Sequence, residues 1–384
     1  MARYRSIDTL QKALGEGVFS YAKDRKKAAG RALGTFVETI AFYLLKSWGF
    51  ERSVAIERGI PEYENLTISH NVEFSLHRSR SLGRLVFNEG EFPLSASKIC
   101  KVMGCRLLPC GDSLRKTGQR LLSADGILKN ACTIAELDGA FLNAYRARIR
   151  SKMEVDVRFF PEQAVAMFEC KRVGVEEGQK KGPQTIEKAK QGAYVARTVS
   201  SLQRFRSQDG SLRGIAERND GSLVCDDYYT LLDRVVNGLE PDIAKRFMLT
   251  VGIVSNHGNW FTSENRNKEL EVLAQSYDWL LFLTDDGLAQ FIEDVVFSGD
   301  RRLSHAAKAF HDSYGSDAKG GKPKNRFTKS SIDESADVEL TAYFNRNAKR
   351  IASWFNLITP ERSSLASLRE QLGKLVVADE GEVV

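Results

Sequence analysis

Residues 154–173 read "EVDVRFFPEQAVAMFECKRV", two short apolar runs on either side of "PEQA", each carrying acids. With a side-chain period of two, Met153, Val155 and Val157 fall on one face of the first run, opposite Glu154, Asp156 and Arg158. In the second run Met167, Glu169 and Lys171 share a face, opposite Phe168, Cys170 and Arg172. A hairpin turning at Glu162 and Gln163 would pair Asp156 with Glu169 and send both carboxylates to one side, beside Lys171 and bordered by Glu154. Two acids that close repel unless a cation lies between them. Carboxylate oxygens suit a hard divalent ion, Mg²⁺ in particular, and Lys171 would orient or deprotonate an attacking water and offset charge at phosphorus. The plainer alternative is a solvated edge hairpin with ordinary Glu169–Lys171 and Glu154–Arg158 pairs. The apolarity of "AVAMFECKRV" weighs against it.

Outward from this stretch, residues 5–48 are expected to be helical, with Leu33, Val37, Ile40 and Leu44 on one stripe and Gly49 ending it. Residues 63–77 read as a strand or hairpin, and 133–150 as a helix. Thr185 is a plausible cap for a helix to about Arg206, followed by a Gly- and Asp-rich insertion at 207–230. "FMLTVGIVS" (247–255) and "YDWLLFLT" (277–284) have the continuous apolarity of buried strands, and "DDGLAQFIEDVVF" that of a capped helix. Residues 313–335 read as a basic linker and 336–377 as helices. The fold class is therefore α/β, a mixed central β-sheet flanked by helices, with helical N- and C-terminal additions. The expected division is a mainly helical region 1–150, a core at 151–300, and a linker with helices at 301–384.

The chain of 384 residues is 42% hydrophobic, enough for a sizeable core, and its net charge of +6 is compatible with a polyanion partner. It begins without an apolar leader and has no apolar run long enough to span a bilayer. A soluble, unexported, cytoplasmic protein is expected, and six cysteines are too few for a disulfide scaffold. Cys100, Cys105, Cys110 and Cys132 are spaced more loosely than a zinc knuckle, so buried free thiols are the favoured reading.

The order Asp156, Glu169, one residue, Lys171 resembles the PD-(D/E)XK nuclease superfamily, and type II restriction endonucleases within it. Val155 stands where the motif name has proline. The resemblance implies a restriction-endonuclease-like core, Asp156 and Glu169 as ligands of Mg²⁺, and Lys171 as base or orienting cation. It also implies a helix glutamate near the metal, for which Glu38 in "GTFVETIAFYLL" is the candidate. The implied activity is site-specific hydrolysis of double-stranded DNA, and cutting both strands of a palindrome implies a homodimer. Leu340, Phe344, Ile351, Trp354 and Phe355 would line part of the dimer interface or pack on their own core. DNA contacts are expected from Lys188, Lys190, Gln191, Arg197 and Arg204 on one helix, and from His257, Asn259, Asn265 and Arg266 in the loop after a buried strand. The basic segments 77–84, 146–152 and 319–329 are further phosphate candidates. The rivals are a structure-specific repair or recombination nuclease of the same fold and a DNA-binding protein whose acids are structural.

Overall fold

The structure, a computed structural model, describes residues 7–20, 22–104, 114–149, 153–174, 183–257, 268–314 and 325–377. The N-terminal stripe forms two helices, α1 (Ile7–Gly17) and α2 (Arg25–Ser47). Asp24 caps α2 by accepting from the Lys27 amide at 2.9 Å, satisfying a donor that the first turn leaves free. Leu33, Phe36, Val37, Ile40 and Leu44 of α2 are buried. Gly49 follows at φ 93°, the left-handed conformation that ends helices most readily at glycine.

Two sheets organise the molecule. Their strands are β1 (Val54–Pro61), β2 (Ser69–Leu76), β3 (Arg80–Phe87), β4 (Cys132–Leu137), β5 (Ala140–Ile149), β6 (Met153–Pro161), β7 (Ala166–Gly174), β8 (Leu249–His257), β9 (Trp279–Leu283) and β10 (Phe355–Thr359). The main sheet has the order β1-β2-β7-β8-β9-β10, and the second runs β3-β6-β5-β4 with a short fifth strand, Arg115–Lys116, at its edge. In the main sheet β8 is parallel to both β7 and β9, and the other pairs are antiparallel. Phe168 and Cys170 on one face of β7 join the core that holds α2. Met167 on its other face joins the core with Ala193, Val195 and Ala196 of α3 (Pro183–Thr198). The main sheet thus has helices on both faces, as the α/β reading expects.

Several expectations need correction. Of 133–150, the described residues 133–149 are two strands and a turn, not a helix, because Leu142 and Ala144 are buried at strand spacing and Gly139, at φ 64°, turns β4 back into β5. The region 50–150 is accordingly rich in strands. The helix expected to reach Arg206 stops at Thr198, and 207–227 lies within a three-stranded sheet of Gln203–Arg206, Leu212–Glu217 and Leu223–Asp227, after which Tyr228 starts another helix. Of the presumed basic linker, 315–324 lies outside the described residues. Ser331–Asp333, by contrast, pairs with Ile127–Lys129 in a small sheet. The C-terminal region supplies α4 (Glu334–Arg346) and α5 (Leu365–Val376), and also β10 at the main sheet's edge. Leu340, Phe344, Ile351, Trp354 and Phe355 are buried in their own chain's core, which leaves them no role in a dimer interface.

The largest correction concerns the opening stretch. Both runs are strands, but β6 and β7 do not form a hairpin. β6 is flanked on both sides by β3 and β5, and β7 by β2 and β8. Neither has a free edge for the other. After Pro161 the chain crosses between sheets, and the Val165 amide donates to Leu76 O at 2.7 Å to start β7 beside β2.

Candidate active site

Because β7 pairs with β2, the acid that meets Glu169 comes from β2. Their ladder ends at Phe168–Phe74, and one step further Glu169 faces Glu73. On the other side of β2, Glu57 of β1 lies across from Glu73, between the pairs Ile56–Phe74 and Arg58–Val72. Glu57 has φ 53°, a left-handed conformation that costs a non-glycine residue energy and that concentrates at functional sites. Glu57, Glu73 and Glu169 thus come from three adjacent strands, β1, β2 and β7. On its other side Glu169 pairs with Gly252 of β8.

Like charges so placed are destabilising, and two ammonium groups offset them. Lys171 Nζ lies 2.7 Å from Glu169 Oε2 and 3.9 Å from Glu73 Oε1. Lys329 Nζ contacts Glu73 Oε2, lies 3.1 Å from Glu57 Oε1, and reaches Glu38 Oε2 of α2 at 3.4 Å. Glu38 is linked to Glu169 and Lys171 only in steps, through Lys329 and Glu73.

Glu169 is almost fully buried, and its Oε2 has the Lys171 ammonium group as partner. Burial raises the affinity of this carboxyl for a proton, and Lys171 opposes the rise in part. Helix α3 closes over the pair at Gly192, where a β-carbon would stand 3.8 Å from Glu169 Cγ and only 2.5 Å from the Tyr277 hydroxyl. At the rim, Glu62 accepts from Tyr194 Oη of α3 at 2.9 Å and contacts His70 Nε2 of β2 at 2.9 Å.

Asp156 is not in this cluster. It is buried in the second sheet, where it accepts from Ser81 Oγ at 2.6 Å and Arg158 Nη1 at 3.3 Å, with Arg52 Nε at 3.7 Å. It serves there as a counter-ion to Arg158 and Arg52, and the acid that shares Lys171 with Glu169 is Glu73. Glu154 lies in the same second-sheet strand and does not border the acids of the main sheet.

Of the expected DNA contacts, Gln191 and Arg197 are exposed on α3. Lys188 and Lys190 belong to the same helix, and His257 ends β8, but the side chains of all three lie outside the described residues. Asn259, Asn265 and Arg266 lie wholly outside them. Arg204 is no phosphate contact, because it is buried against Asp278 at 2.6 Å and Tyr228 Oη at 2.8 Å. Cys100 and Cys132 are buried free thiols, and burial pushes Cys132 up to about 12. Cys105 and Cys110 fall outside the described residues. Cys170 faces the core, as expected.

Sequence reasoning missed Glu73, Glu57 and Lys329. The clue to Glu73 was of the same kind that exposed Glu169, an acid inside the β-forming run "NVEFSL". Glu57 and Lys329 carry no comparable local signal.

Among the described residues, no group of three or more His, Cys, Asp or Glu side chains is arranged as a metal centre, and no helix is long and apolar enough to cross a membrane. The donor chemistry nevertheless fits a hard cation, because Glu73 and Glu169 present carboxylate oxygens to the same Lys171 ammonium group. No family model matches the chain, and no curated protein or solved structure matches it either.

Proposed function

We propose that the protein is a Mg²⁺-dependent endodeoxyribonuclease of the PD-(D/E)XK type, akin to type II restriction endonucleases, cutting double-stranded DNA at a specific sequence. One observation carries the reading: Glu73 and Glu169 stand side by side on neighbouring strands, with Lys171 on the same face as Glu169 and bridging both. The motif thus runs Glu73, Glu169, Cys170, Lys171, with glutamate where aspartate was expected, on a restriction-endonuclease-like core of α2, β1, β2, β7, α3 and β8.

Glu73 and Glu169 would hold the metal, with Glu38 close enough to assist. When bound, such an ion lowers the pKa of coordinated water and stabilises charge on a phosphoryl group. The chain's own groups do the rest. Lys171 Nζ, held by Glu169, keeps N–H donors available to orient a water or a phosphate oxygen. Burial of Glu169 under α3 keeps bulk water from this side of the site. The exposed residues Gln191, Tyr194 and Arg197, spaced three apart on α3, form a polar and aromatic stripe suited to a nucleic-acid backbone. A homodimer acting on both strands, and a cytoplasmic site of action, belong to the same proposal.

A second reading, a DNA-binding protein whose acids are structural, is favoured by Lys329, which partners three of the carboxylates without any metal. Long duplex DNA incubated with Mg²⁺ or with EDTA separates the two. Wild type should yield discrete fragments only with Mg²⁺, and Glu73→Gln and Lys171→Ala should each lose at least about a hundredfold in rate. Cleavage confined to branched or damaged DNA would instead favour the repair nuclease. Intact plain, branched and modified DNA in every lane would leave the structural reading standing.

A further inference from the structure

We infer that the Lys329 ammonium group permanently fills a cation position inside the acid cluster, one that a divalent ion would otherwise take. The inference rests on the reading of Glu73 and Glu169 as a metal site, but concerns a position beside it.

Three observations support it. First, Lys329 reaches carboxylates from three separate elements, Glu38 on α2, Glu57 on β1 and Glu73 on β2. Convergent oxygens around one centre are what a hard cation is offered, and here an ammonium group receives them. Second, the lysine is built in and is not a surface side chain fallen inward. Lys329 is buried, its carbonyl accepts from Asn130 Nδ2 at 3.0 Å, the carbonyl of Ser330 accepts from the Asn130 amide at 2.9 Å, and Phe327 beside it is fully buried. The segment is pinned further by the pairing of Ser331–Asp333 with Ile127–Lys129. Third, the charges leave room for one more cation. Four carboxylates, Glu38, Glu57, Glu73 and Glu169, face two ammonium groups, Lys171 and Lys329. The surplus of two negative charges is that of one divalent ion. Glu57 gives this arrangement a reason to hold a left-handed backbone: the turn brings its carboxylate to Lys329.

The test is Mn²⁺ binding to the full chain without DNA, read from the loss of the free-ion electron paramagnetic resonance signal. Lys329→Met should bind one more Mn²⁺ per chain than wild type, and Lys329→Arg, which keeps the cation, no more than wild type. Thermal melts guard against a poorly folded variant. Lys329→Met should melt below wild type in EDTA and regain several degrees in millimolar Mn²⁺, more than wild type gains. The double variant Glu57→Gln, Lys329→Met, with less repulsion, should show the same gain. No added ion and no added rescue in either Met variant would overturn the inference. A wild-type chain that binds no Mn²⁺ would instead sink the metal-site reading, whether or not the Met variants gain an ion.

Discussion

At the scale of single residues, Glu169 and Asp156 show what two buried acids can be for. Asp156 accepts from Ser81 and Arg158, and its charge is answered where it stands. Glu169 meets Lys171 at 2.7 Å through Oε2, and burial still raises its proton affinity. An acid whose folded pKa is raised favours the fold while protonated. Its contribution falls away as pH rises from the ordinary carboxylate range through the raised value, since the unfolded chain releases the proton sooner. Glu169→Gln should therefore raise the melting midpoint at pH 8 by about 2–4 °C, with the gain vanishing under acid conditions that protonate carboxylates in both states. Asp156→Asn should move the midpoint down at the same pH, because it leaves Arg158 and Arg52 without their counter-ion. Differential scanning calorimetry of both variants decides the matter. A fall in both would make Glu169 a structural ion-pair partner like Asp156.

Between elements, the joint of the two sheets deserves the closest reading, because it displaced Asp156 from the site. Its polar contacts include Arg58 of β1, which forks onto Glu136 of β4 at 3.2 and 2.9 Å, Tyr145 Oη of β5, which donates to Val54 O at 2.8 Å, and His77, which bridges from the end of β2 to Pro161. The carbonyl of Pro161 can only accept, so His77 Nδ1 carries the proton and Nε2 accepts from Ser75 Oγ at 2.8 Å. Packed against Phe141 and Phe160, the ring is neutral, and burial lowers its pKa from 6.5 to about 4. In that interval the unfolded chain binds a proton that the fold refuses. Stability is thus complete above pH 6.5 and declines toward pH 4, by up to about 3 kcal/mol from this group. Urea midpoints of wild type and His77→Gln across this range check the claim. The variant should show the flatter pH dependence, and equal slopes would clear His77 of the role.

For the whole molecule, the C-terminal third matters most, since it supplies Lys329, α4 and β10 to a core made earlier in the chain. Its anchor is Asp337 of α4, fully buried, which accepts from Lys46 Nζ at 2.7 Å and Tyr43 Oη at 2.8 Å on α2, and from Arg146 on β5. One carboxylate thereby ties α4 to α2 and to the second sheet. Removing one partner of a buried charge network commonly costs about 3–5 kcal/mol. Asp337→Ala is expected to lose that much in urea unfolding. A loss below about 1 kcal/mol would mean that apolar packing alone docks the C-terminal segment.

Much of the fold was legible locally. Helical spacing marked the buried stripe of α2 and Gly49 its end, unbroken apolarity marked β8 and β9, and alternation put Glu169 and Lys171 on one face of β7 with Cys170 turned inward. Each of these follows from the period of a single element, which its own residues determine. The partner of Glu169 was not legible in this way. The turn-like "PEQA" suggested the nearest strand, whereas β6 and β7 each had both edges taken by other strands. Which edges stay free depends on every strand in the sheet, so only the tertiary structure could replace Asp156 with Glu73. Lys329 was further out of reach, for a lysine in a basic stretch looks like any solvated charge. What buries it is the pairing of its neighbouring strand and the three glutamates it meets, and contacts so distant in the chain leave no periodic trace in the sequence.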